Sequence, residues 1–220
     1  MASKLTKENI LKDISTLHCS LNLGLSENPE KDEELLHLRV KKLVKEHCKF
    51  KLVRANNEQI PYTEEETGLP IELMESKKET GRKQVLDYHP YIYLDEWIPL
   101  SFGIERKSCQ DFHGTLYKGN NYKRFKREIA TCKKDLIFKG DMYVFVESPY
   151  ENWVTHYPIV SRYTSDMIKS MIVSKENALA AIMAKGVKVM FWPSRAKSAR
   201  FIKTLCYQHA VETYANWLNL

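Results

Sequence analysis

Ile10, Ile14, Leu17 and Leu21 recur every three or four residues, and after Leu23-Gly24 the spacing resumes with Leu35, Leu36, Leu38, Val40, Leu43 and Val44. Side chains at that spacing share one face of an α-helix, so residues 1–47 predict two helices. Asn28-Pro29 followed by Glu30, Asp32, Glu33 and Glu34 marks the start of the second, and Lys41, Lys42, Lys45 and His47 suit its end, where the helix dipole favours cations. Residues 50–53 read as a strand. From 63 to 83 the pattern turns polar, predicting a surface insertion. Two β-like segments follow, at about 91–100 and 102–107. Helical spacing returns after Ser108, breaks near Lys118-Gly119-Asn120-Asn121, and resumes at Phe125 and Ile129. Short apolar runs at 142–146 and 187–192 predict buried strands, separated by a helix around 178–184. An amphipathic helix bearing Ile202, Leu205, Cys206, Tyr214 and Trp217 closes the chain. Strands that alternate with helices imply an α/β core with at least one parallel crossover.

Length and composition narrow the class. A chain of 220 residues with 43% hydrophobic content suits one domain of ordinary size plus an extension. It contains no apolar run of the ~20 residues that span a bilayer, and no apolar signal-peptide segment follows Met1, so a soluble, intracellular protein is expected, cytoplasmic or nucleoid-associated, or nuclear in a eukaryote. Five scattered cysteines without a Cys-x-x-Cys pair imply neither a disulfide framework nor a zinc site. The 34 basic residues against 28 acidic ones give a formal charge of +6, which favours polyanionic partners.

Candidate chemistry concentrates between residues 95 and 111, where Asp95 precedes Glu105-Arg106-Lys107 and Asp111 follows. Carboxylates from neighbouring strands can hold a hard divalent cation, and a lysine two residues beyond one of them can orient or deprotonate water. Strand alternation would aim Glu105 and Lys107 into one cleft, with Ile104 and Arg106 facing the other way. The competing reading is a solvated charge cluster, since 28% of the chain is charged. Asp111, at a helix start, divides evenly between capping and a place in the site.

Together these residues resemble the nuclease domain of the XPF family of structure-specific DNA endonucleases, within the restriction-endonuclease-like PD-(D/E)XK superfamily. The Asp, Glu-Arg-Lys and following Asp are joined by Asp111-Phe112-His113-Gly114-Thr115-Leu116, by Arg124-Phe125-Lys126-Arg127-Glu128, by a strand ending Val144-Phe145-Val146-Glu147, and by Gly186-Val187-Lys188-Val189. The resemblance spans about residues 48–215 and implies a mixed central sheet flanked by helices, with residues 1–47 as an N-terminal helical extension and 48–220 as the nuclease domain. It implies a divalent-metal-dependent endodeoxyribonuclease using Mg2+ or Mn2+, held by Asp95 and Glu105. Lys107 would act on the water, Glu58 would complete the polar shell, and Arg106 and Asp111 would finish the motif, with Arg106 bracing the fold rather than touching phosphate. The pattern departs at the first strand, where Ala55 stands in place of an expected Asp and Leu94 replaces a Gly.

The cations Lys118, Lys123, Arg124, Lys126 and Arg127 crowd just after the motif and suit a DNA phosphate track; Arg195, Lys197, Arg200 and Lys203 form a weaker second group. By resemblance the partner is branched or distorted duplex DNA, met in repair, recombination or replication. A homodimer through the nuclease domain is expected, in a stand-alone form without the family's helix-hairpin-helix module. The alternative, prompted by Ala55, is a weakened or inactive pseudonuclease that serves as a DNA-binding scaffold.

Overall fold

A computed structural model describes residues 7–55, 61–74, 86–117, 119–134, 140–156 and 164–218. Its centre is one mixed sheet of seven strands: β1 (Lys49–Arg54), β2 (Ile71–Leu73), β3 (Tyr88–Leu94), β4 (Glu96–Pro99), β5 (Phe102–Lys107), β6 (Asp141–Val146) and β7 (Val187–Phe191). The order is β2-β1-β3-β5-β6-β7, with β4 also paired to β3. Pairings of β3 with β1, β4 and β5 are antiparallel, whereas β1–β2, β5–β6 and β6–β7 are parallel. Parallel neighbours need crossovers. Helices α4 (Cys109–Tyr117) and α5 (Gly119–Lys134) lie between β5 and β6, while α6 (Tyr150–Val154) and α7 (Ser165–Met183) lie between β6 and β7. The remaining described helices are α1 (Lys7–Asn22), α2 (Pro29–His47), α3 (Glu64–Thr67) and α8 (Arg195–Trp217).

The strands divide their side chains between two cores. Tyr143 and Phe145 of β6 point to a back layer formed by Ile10 and Ile14 of α1, Val40, Leu43 and Val44 of α2, and Ile202, Leu205 and Tyr214 of α8. Met142, Val144 and Val146 point to a front layer made by Phe112 and Leu116 of α4, Phe125 and Ile129 of α5, Trp153 of α6 and Ile182 of α7. That alternation is why 142–146 reads as apolar throughout, as a strand buried on both faces must. The mixed sheet flanked by helices is therefore the architecture expected from the sequence. The N-terminal helices, however, are no appendage, because they supply part of the back core.

Two further expectations change. Residues 63–83 are not wholly an insertion: α3 opens with a capping box in which Thr63 accepts from Glu66 N–H at 3.2 Å and donates its own N–H to the Glu66 carboxylate at 2.8 Å. Gly68 ends α3 at φ +65°, and β2 then pairs in parallel with β1 as the sheet's edge. Helix α7 begins at Ser165, well before the expected 178. Its buried stripe runs Met171, Lys175, Leu179, Ile182, and the lysine breaks the apolar pattern. Lys175 is buried because its ammonium donates to the carbonyls of Trp153 and Val154 at the end of α6, at 3.0 and 3.1 Å. None of the described helices is long and apolar enough to cross a membrane.

Candidate active site

Glu105 and Lys107 lie on β5 at the edge of the front layer. Glu105 is 7% exposed, and its carboxylate accepts a hydrogen bond from the Lys107 ammonium. Burial alone would lower the Lys107 pKa, but the charges of Glu105, Asp87 and Glu128 outweigh it and raise the value above that of an ordinary lysine. Lys107 is thus held as a cation at neutral pH. It can donate to an anionic oxygen or orient a water, and it is poorly suited to remove a proton.

Asp87 is the partner that sequence spacing missed. It stands just before β3, and its carboxylate accepts from the backbone N–H of Arg106 at 2.7 Å, between the two motif residues. The β3–β5 register, with Tyr88 opposite Ile104, brings the start of β3 beside Glu105. On the other side of β3, Ala55 donates its N–H to the Asp87 carbonyl at 2.9 Å. Ala55 therefore adjoins the site without offering a ligand.

Asp95 does not join this group, which corrects its assignment as catalytic and metal-binding. The segment 91–100 is not one strand but a hairpin that turns at Asp95, where Leu94 pairs with Glu96 and Asp95 adopts φ +76°. Aspartate is among the few non-glycine residues that enter this region readily. Eight residues of extended chain place Asp95 roughly 25 Å from Asp87. Its charge acts instead on Tyr214 of α8: burial first, then Cys48 and Asp95, push that phenol up to about 12.

Arg106 faces the back of the sheet, as alternation requires, so it too leaves the catalytic set. Its guanidinium donates to both Glu147 oxygens, at 2.6 and 2.8 Å, and lies 5.0 Å from the Tyr62 ring centroid. Arg195 covers the same ring at 4.9 Å while binding Glu66 at 2.6 and 2.8 Å. This network joins the back of the motif to α3 and α8, and it engages Arg195, a member of the weaker second basic group. Hydrogen bonding to Arg195 holds the Glu66 carboxyl well down, at about 2. Asp111 completes a cap: its N–H donates to Ser108 Oγ at 3.1 Å, and Ser108 Oγ donates to its carboxylate at 2.7 Å. Ser108 is the N-cap, with Asp111 in the first turn of α4. Glu58 and Lys118 lie outside the described residues.

On α5, Phe125 and Ile129 face the core and Lys123, Arg124, Lys126 and Arg127 face solvent. Arg124 pairs with Glu128 at 3.4 Å, and Glu128 in turn acts on Lys107, so this basic helix borders the site. Lys126 lies 4.6 Å from the Tyr122 ring centroid.

The fold and site define a mixed α/β protein with a carboxylate–lysine motif where its front helical layer ends. Solved structures similar to this chain include XPF from Aeropyrum pernix and XPF from Aeropyrum pernix in complex with DNA, each with 18% sequence identity and a TM-score of 0.45. The first covers 76% of this chain and 71% of that one; the second covers 74% of this chain and 65% of that one. No family model and no curated protein matches the chain.

Proposed function

We propose that the chain is a divalent-metal-dependent DNA endonuclease that hydrolyses phosphodiester bonds in branched or distorted DNA, in repair, recombination or replication. The observation that carries this reading is the Glu105–Lys107 pair beside Asp87, at the rim of a helical layer whose next helix is basic. Among the described residues no three His, Cys, Asp or Glu side chains form a ready-made metal cage. Mg2+, however, is characteristically held by one or two carboxylates together with substrate phosphates, and Asp87 and Glu105 supply that donor set. Bound there, Mg2+ or Mn2+ would stabilise charge on the phosphate and acidify a water. Lys107, protonated, would donate to a phosphate oxygen or fix the water's direction. Arg106 would hold β5 from behind, and the α5 cations would hold the DNA backbone without reading sequence.

The test is incubation with labelled flap, fork, four-way-junction and linear duplex DNA, with and without Mg2+ or Mn2+. Cleavage that requires metal and favours a branched form is expected. One observation favours the scaffold reading: Ala55 adjoins the site where the family pattern has an Asp. Structure-selective binding without cleavage in either metal would establish that reading instead. A separate prediction concerns the basic helix. Replacing Lys123, Arg124, Lys126 and Arg127 with Ala should weaken binding to every DNA shape and flatten the log K against log salt slope, by less than about four units because some of these side chains serve Glu128 and Tyr122. Filter binding across a salt series reads the change; an unchanged slope would place the DNA path elsewhere.

A further inference from the structure

Among the described residues the front helical layer stops at β5, and beyond it the sheet turns Lys49, Tyr93 and Trp97 outward. Antiparallel register sets Lys49 opposite Tyr93, Lys51 opposite Tyr91, and Tyr93 opposite Trp97. Alternation puts all five on the front, while Phe50, Leu52, Ile92 and Leu94 enter the back core. Tyr93 is 44% and Trp97 37% exposed, although rings of that size are ordinarily covered when they sit in a sheet. The two rings meet near edge-to-face with centroids 5.4 Å apart. Lys51, tied to Glu72 at 2.6 Å, lies 4.5 Å from the Trp97 centroid, so this indole is braced before any ligand arrives.

The same face runs into the candidate site. A Cβ on Gly103 would come within 3.2 Å of the His89 ring, which places His89 on the face that bears Glu105. From Tyr93 back to His89 is four strand residues, roughly 13 Å. His89 is itself 5% exposed, so the exposed rings end about one such span short of the carboxylates on the same face of the sheet.

We propose that the face of β1, β3 and β4 that bears Lys49, Tyr93 and Trp97 is a stacking platform for unpaired nucleotides. Every base has a π-face that can lie on Tyr93 or Trp97, while Lys49 meets the phosphates between bases; such binding tolerates any sequence. Lys51 is engaged by Glu72 and its side chain is 13% exposed, so Lys49 offers the cation beside the exposed rings, a combination that suits nucleic acid better than a protein partner. The inference rests on the nuclease reading for what lies at the platform's end, but its test does not.

The experiment is equilibrium binding of fluorescent oligo(dT) and of a blunt duplex to the full chain without divalent metal, where no cutting intervenes. Tyr93→Ala with Trp97→Ala should weaken oligo(dT) binding about tenfold or more, with blunt-duplex affinity nearly unchanged. Tyr93→Phe with Trp97→Phe, which keeps both rings, should bind as wild type does. Lys49→Glu gives a second variant at an exposed position and should weaken oligo(dT) binding several-fold whatever the double variant does to folding. Equal oligo(dT) affinity for wild type, the Ala pair and Lys49→Glu would overturn the proposal. So would a dimer-to-monomer change on sedimentation of the Ala pair with oligo(dT) affinity unmoved, because that would assign the patch to a second copy of the chain. A wild type that binds oligo(dT) through these residues yet cuts nothing in Mg2+ or Mn2+ supports the platform and contradicts only the nuclease reading.

Discussion

Lys107→Met and Glu105→Gln should each slow cleavage of a branched DNA by at least ~10²-fold, the scale of losing one positioned proton-handling or charge-stabilising group. Affinity for the same DNA should stay near wild type, because on the proposed reading both side chains would serve the reacting phosphate rather than the flanking backbone. The two variants should differ in metal dependence. Glu105→Gln removes a proposed ligand and should raise the Mg2+ concentration needed for half-maximal rate, whereas Lys107→Met should leave it nearly unchanged. Single-turnover cleavage across a metal titration reads both effects. Wild-type rates in both variants would remove the pair from the chemistry.

Glu147→Ala should be among the most destabilising substitutions on the back of the motif. The Arg106 and Glu147 side chains are only 14% and 11% exposed, so truncating the carboxylate takes a charged partner from a cation with little access to water. Breaking such a pair costs about 3 kcal/mol or more, which for a chain of this size lowers the melting temperature by roughly 6–12 °C. Replacing both partners together, Arg106→Met with Glu147→Leu, should recover part of the loss because no charge is left buried. Thermal and urea denaturation measure both. A Glu147→Ala protein that melts with wild type would show that Arg106 does not depend on this partner. The double variant should also keep measurable cleavage, since Arg106 serves the site only by bracing β5.

Elements with strong periodicity were legible from the sequence: α1, α2, β5, β6, β7 and α8 all occupy segments whose apolar spacing announced them. Alternation also placed Glu105 and Lys107 on one face and Arg106 on the other. What failed was the assumption that the carboxylate ten residues before Glu105 must be its partner. Local spacing cannot show that Asp95 is the tip of a hairpin. The usable signal was the pair of runs Tyr88–Leu94 and Glu96–Pro99 flanking one aspartate, which marks a turn and moves the partner strand's beginning to Asp87. The polar stretch after Thr63 misled for another reason. The charges of α3 serve its own cap and a distant arginine, and neither role leaves an apolar trace. A buried lysine hid most of α7 in the same way.

On the proposed reading Asp87, not Asp95, completes the site with Glu105 and Lys107. Asp87→Asn and Asp95→Asn should be compared in one metal-dependent cleavage assay on the branched DNA that wild type cuts best, with circular dichroism confirming that both are folded. Asp87→Asn should lose at least ~10²-fold in rate, while Asp95→Asn, altering only a hairpin turn at the far end of β3, should cut within a few-fold of wild type. A silent Asp95→Asn beside an active Asp87→Asn would return Asp95 to the site and remove Asp87 from it.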